Sequence, residues 1–283
     1  MNIEDVPSEC FTSVAELIRK KEFLEGQRTA MAPARWAFRG QPCDFGTLSP
    51  SFMRQLSNEF YGAAELIERR LIEAFREHYA KLDDRSDNMP DPERVREGYT
   101  LRCLSVMQHY EIPTRLLDWT SNFWTAVYFA CASDPKDKAE LWYYDRAIFE
   151  AQRTADTALN SLFDKTDFPP FEPDFLNSRG ENLLVELDPQ ITPRMKEQFA
   201  HHTVSKDVFA DHAPLINELQ SLHPEAEDHV LFGRIIIDPA CKSKVLQFLA
   251  EEKDITASTI FPDVVGLGRF LRWQFESLRT MLL

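Results

Sequence analysis

Thr114-Arg115-Leu116-Leu117-Asp118-Trp119-Thr120-Ser121 sets polar side chains directly against Leu116, Leu117 and Trp119, just after the break at Pro113. Thr120 or Ser121 is positioned to cap a following helix whose inward face would be Trp124, Val127, Tyr128 and Cys131. Asp134-Pro135 ends that helix, and residues 140–144 read as a strand. Helix and strand therefore alternate around this stretch, as they do where helices pack on a sheet.

The flanking sequence extends the pattern. Upstream, residues 58–82 carry Ala64, Ile67, Leu71, Ala74 and Phe75 at helical spacing, and residues 93–109 repeat it with Val95, Tyr99, Leu104 and Met107. A polar break at 83–92 separates the two. Residues 36–40 read as an aromatic strand entering a loop at Gly40 and Pro42. Residues 10–25 read as a helix with Phe11, Val14, Leu17 and Ile18 on one face and Thr12 or Ser13 as cap. Downstream, 146–180 is polar and carries Pro169, Pro170 and Pro173, the composition of a lid or an insertion. Strands are expected at 183–187 and 230–237, and the end of 194–204 has strand character. An amphipathic helix follows at 241–251, then a return to the sheet at 256–261 and a last helix opened by Pro262-Asp263. The expectation is a single α+β domain over residues 1–283, with a central mixed β-sheet flanked by helices.

Of 283 residues, 43% are hydrophobic and 28% charged, ordinary values for a globular chain. No apolar run approaches the ~20 residues of a membrane span. Met1-Asn2-Ile3-Glu4-Asp5 lacks the features of a secretory signal, and five scattered cysteines fit reduced thiols, so a cytoplasmic location with no membrane partner is expected. The net charge of −14 argues against a general nucleic-acid coat protein while leaving a local anion site open.

Arg39 beside Gly40 is the first candidate for chemistry. A guanidinium there would grip phosphate through paired hydrogen bonds while the bare backbone lets a ligand approach; the alternative is an ordinary surface arginine. The second candidate is the cluster Gln108, His109, Thr114, Arg115, Asp118, Thr120 and Ser121. Arg115 and Asp118 would pair to fix the loop, or His109 and Asp118 would form an acid–base couple. His201, His202 and His212 lack regularly spaced partners, so no metal site is expected. No nucleophile elbow, dinucleotide fingerprint or phosphate-binding loop motif occurs.

Phe38-Arg39-Gly40-Gln41, the run from Gln108-His109-Tyr110 through Asp118-Trp119-Thr120, the pair Arg194 and Gln198, and Phe261-Pro262-Asp263-Val264-Val265-Gly266-Leu267 together resemble the FRG-domain family, in the family's order over about residues 15–273. Ala200 departs from the glycine frequent there. A looser resemblance links the chain to the ADP-ribosyltransferase superfamily, whose fold the sheet would then share. It implies an NAD cofactor with Arg39, Gln41, Thr114, Arg115, Thr120 and Ser121 as its contacts, and Gln198 or its neighbour Glu197 facing the ribose. His109 or Asp118 would activate the acceptor. The implied function is an NAD-dependent ADP-ribosyltransferase-like enzyme acting on a protein or nucleic-acid acceptor, as a toxin or antiphage effector restrained by an inhibitory partner protein. The alternatives are a non-catalytic module sensing a nucleotide or phosphate ligand, and a metal-independent nuclease toxin using His109 and Asp118. Glu197 at the ribose would favour transfer; Gln198 would favour binding.

Overall fold

Apolar residues spaced two apart give the strands of this chain a buried face on either side, and helices cover both. The computed structural model describes residues 6–27, 35–79, 81, 100–133, 136–156, 183–188, 192–223, 230–262 and 264–281. The strands described are β1 (Ser8–Phe11), β2 (Trp36–Gln41), β3 (Leu116–Thr120), β4 (Ala139–Asp145), β5 (Leu184–Leu187), β6 (Ala200–Ser205) and β7 (Phe232–Ile237). They form a seven-stranded sheet in the order β1-β7-β4-β2-β3-β6-β5. β1 and β7 run parallel and the other neighbours antiparallel, so the sheet is mixed and the fold α+β.

The helices described are α1 (Val14–Gly26), α2 (Ser51–Gln55), α3 (Ala64–Tyr79), α4 (Thr100–His109), α5 (Phe123–Cys131), α6 (Ala147–Ala155), α7 (Pro193–Glu197), α8 (His212–Gln220), α9 (Pro239–Lys253), α10 (Ala257–Ile260) and α11 (Val264–Met281). On one face Phe38, Leu141, Tyr143 and Ile235 pack under Phe123 and Val127 of α5 and Val245 and Leu249 of α9. On the other, Ala37, Trp119, Trp142, Tyr144 and Phe232 meet Ile148 and Phe149 of α6 and Ile216 of α8. A further cluster joins Ile72 of α3 and Leu104 and Met107 of α4 to Leu116, Val185 and Val204.

Gly40 is explained by this packing rather than by ligand approach. A Cβ at residue 40 would overlap the Ala126 carbonyl oxygen and the Ala130 backbone nitrogen, so only glycine lets β2 lie this close to α5.

Several local expectations are corrected. Phe11 belongs to β1, not to the first helix, because its strand pairs with β7; Ser13 stands at the N-cap without capping, and its hydroxyl donates to Glu16 instead. Residues 58–63 form a 3₁₀ turn before α3, and α3 buries Glu68 where apolar spacing pointed to Ala74, which is exposed. Asn122 caps α5 by accepting from the backbone of Trp124 and Thr125, because the hydroxyls of Thr120 and Ser121 engage Gln198 and His201. Residues 256–261 do not return to the sheet. Reciprocal bonds between Thr256 and Thr259 make a capping box that holds α10, overriding the β-branched composition. The start of 146–180 is helix α6, whose Ile148 and Phe149 are core residues; residues 157–182 lie outside those described, as do 82–99, which include Val95 and Tyr99.

Candidate functional site

β2 pairs with β4 along its whole length but shares a single register pair with β3, Phe38 with Thr120. Beyond that pair the two strands part, and a cleft of about 300 Å³ is bordered by both. Its walls also include His202 and Ala200 of β6, Arg194 and Met195 of α7 with the adjoining Gln198, Gln108 and His109 of α4, and Phe129 of α5. Residues of both sequence clusters therefore meet at one site.

Arg39 bridges the parting strands, donating from Nη1 to the carbonyl oxygen of Asp118 at 2.8 Å. Its Nε is buried without a partner among the described residues. Burial pulls the guanidinium down to about 10, with Arg54 acting in the same sense and Asp118 opposing, so Arg39 stays charged at neutral pH. A guanidinium fixed on one side by a backbone carbonyl and partnerless on another edge is suited to an anion.

Asp118 accepts from Gln108 Nε2 at 2.8 Å, and its Oδ1 lies 3.1 Å from Nδ1 of His202. Partial desolvation at the cleft wall works against its ionisation, but His202, Arg39 and Gln108 outweigh that and hold the carboxyl below the usual aspartate range. Gln108 is itself oriented by Thr114, whose hydroxyl donates to Gln108 Oε1 at 2.6 Å. Thr114 thus supports the site from beneath, being fully buried.

The expected couples of Asp118 are both corrected. Arg115 is buried and paired with Glu68, donating also to the backbone of Ser205 and Lys206, so its side chain is absent from the cleft wall. His109 lines the cleft but its Nδ1 lies 3.5 Å from the hydroxyl of Thr192. The imidazole beside Asp118 is His202. Residues 201 and 202 alternate across the strand, so His202 faces the cleft while His201 points to the other side, against Ser121. His212 bonds Thr203 at 2.9 Å, and no cluster of three or more potential ligands among the described residues is arranged to hold a metal.

Gln41 and Ser121 also stand outside the cleft. Gln41 is buried against Glu140 and the carbonyl of Thr47, and Ser121 contacts His201. Thr120 remains in the wall, its hydroxyl donating to the Gln198 carbonyl at 2.6 Å. The choice at the end of α7 is also visible. Gln198 lines the cleft and donates from Nε2 to the carbonyl of Ile260 at 3.1 Å, while Glu197 is exposed and outside the wall. Phe199, in the left-handed region at φ 49°, turns the chain from α7 into β6 just after this point.

From sequence, His202 is weighed only as a metal ligand, and Glu68 and Asn122 are passed over. The adjacent pair His201-His202 at the head of a strand is the signal for the first, since one of two neighbours must face each side. Glu68 had a signal too, an acid sitting at helical spacing between Ala64 and Ile72.

Residues 34–139 match the family model of the FRG domain, a stretch that holds Arg39 and the whole run from Gln108 to Thr120. Arg194, Gln198 and the segment from Phe261 to Leu267 lie beyond it. No curated protein and no solved structure matches the chain. No helix among the described residues is long and apolar enough to cross a membrane.

Proposed function

We propose that the cleft binds a phosphate-bearing nucleotide of the NAD class and holds it without transferring its ADP-ribose. One observation carries this reading: Gln198 lines the cleft and Glu197 does not. A carboxylate stabilises the oxocarbenium-like charge that develops as nicotinamide leaves, and a neutral amide does so far less. Two arginines in the wall, Arg39 and Arg194, make a local cationic site within a chain of net charge −14. Phe129 supplies apolar surface for a ring, beside polar groups of the wall that include Gln108, Thr120 and His202.

A second reading rests on Asp118, the only carboxylate among the described wall residues. Held ionised beside Arg39, it would stabilise the cation in place of Gln198, and His202 would take the proton from an acceptor. NAD cleavage, or transfer to a protein or nucleic acid, would then follow from these two residues.

Calorimetric titration of NAD into wild type and Arg39→Ala, run beside a chromatographic assay of nicotinamide release, separates these readings. The expected result is saturable binding to wild type, at least about tenfold weaker in Arg39→Ala, with an unchanged melting temperature and no release. Equal affinity in both proteins would remove Arg39 from the site. Release that requires Asp118 would replace the first reading by the second.

A further inference from the structure

The cleft opens into a larger groove of about 760 Å³, and Gln108, Asp118, Phe129, Ser133 and Arg194 border both. On the far side stand α10 and the first half of α11. The guanidinium of Arg194 lies 4.4 Å from the ring centre of Phe261, and that of Arg269 lies 4.7 Å from the same ring. One buried aromatic therefore supports two cationic planes at the groove wall. Further along α11, Phe270 and Trp273 stack with centroids 6.1 Å apart and planes 25° from parallel. Gly266 holds this corner together, since a Cβ there would overlap the carbonyl oxygen of Phe261. Phe261 and Gly266, which no step of the cleft chemistry uses, thereby acquire a role in shaping the groove.

We infer that the groove receives the second, ring-bearing half of a dinucleotide whose phosphates lie by Arg194 and Arg39; this rests on the nucleotide reading of the cleft. The cleft alone, at about 300 Å³, is at the small end of ligand pockets and suits one nucleoside monophosphate. Arg194 borders both spaces, so a phosphate at the junction meets a charge that Phe261 already holds in place. Guanidinium planes and an indole stack on any base, which is how proteins hold a nucleobase without reading its edges. The acidic groups among the described residues of the groove wall are two: Asp118 is engaged with His202 and Gln108, and Glu111 lies 4.0 Å from Arg269. A ring entering beside Arg269 would displace that weak, exposed contact.

The test compares NAD with its two halves, nicotinamide mononucleotide and AMP, by titration calorimetry on wild type, Trp273→Ala and Arg269→Ala. Wild type is expected to bind NAD at least about tenfold more tightly than the better of the two halves. Each variant is expected to lose about tenfold in NAD affinity while keeping its affinity for the mononucleotide held in the cleft, which also shows that the variant is folded. A wild type that binds a mononucleotide as well as NAD would overturn the inference and leave the cleft reading standing. Variants that weaken both ligands alike would overturn it too. A chain that binds none of the three would bring down the cleft reading, and this inference with it.

Discussion

Nδ1 of His202 lies 3.1 Å from Oδ1 of Asp118, and the two residues are direct partners in the antiparallel register of β3 and β6. Direct partners of this kind hold their side chains on the same face, about 5 Å apart at Cβ. The couple is therefore built by strand pairing between residues 84 positions apart in sequence. Of the local candidates, Arg115 is paired with Glu68 and His109 lies beside Thr192.

Asp118→Asn is expected to weaken nucleotide binding by reorganising Gln108 and His202, with little effect on stability. The carboxyl of Asp118 is held below its ordinary range in the folded protein, so its contribution is complete above the unfolded value near 4 and is lost as pH falls through the folded one. With the side chain 52% exposed, that contribution is under about 1 kcal/mol. Melting temperatures of wild type and variant should therefore differ slightly at pH 7 and converge below about pH 4.

Glu68→Ala should be far more costly. It strands the guanidinium of Arg115, which is 1% exposed, without its carboxylate partner. Loss of one member of a buried ion pair costs about 3–5 kcal/mol. Urea unfolding would show a large drop in midpoint; a change under about 1 kcal/mol would mean that the backbone of Ser205 and Lys206 suffices to hold Arg115.

Gly40→Ala distinguishes packing from ligand approach. The added methyl meets the backbone of α5, which cannot rotate away, so a loss of about 1–3 kcal/mol or more in stability is expected. Denaturation of the ligand-free protein measures this directly. A stable variant that had lost only nucleotide affinity would restore the ligand-approach role.

Acid should destabilise the fold through two histidines. Burial, with Arg39 and Arg115 adding to it, pulls His212 down to about 3; burial and the charge of Arg146 pull His201 down to about 4. Both fold in the neutral form but take up protons near 6.5 once unfolded, so the stability they confer is present above about 6.5 and is lost as pH falls below it. Each contributes a slope of up to about 1.4 kcal/mol per pH unit. Thermal melts between pH 8 and pH 5 should show this decline, and His212→Asn should flatten it.

The run from Gln108 to Thr120 and the motif around Arg39 were legible as functional candidates because polar groups crowd there against large apolar ones. Helix α5, strands β2, β4, β5 and β7 and the mixed sheet were legible for the same kind of reason: periodicity and breakers are local signals. The helix cap at Asn122, the capping box at Thr256 and the burial of Glu68 were not, because each depends on which partner a polar group finds once the chain is folded.

By itself, then, the sequence determined the class of fold and the two segments that meet at the cleft, since apolar spacing and local composition act over a few residues. Only the tertiary structure decided which side chains share it. That Gln198 rather than Glu197 borders the cleft depends on how α7 turns into β6 at Phe199. That His202 rather than Arg115 or His109 meets Asp118 depends on the β3–β6 register. A shift of one residue in that register would send the neighbouring side chain to the opposite face of the sheet.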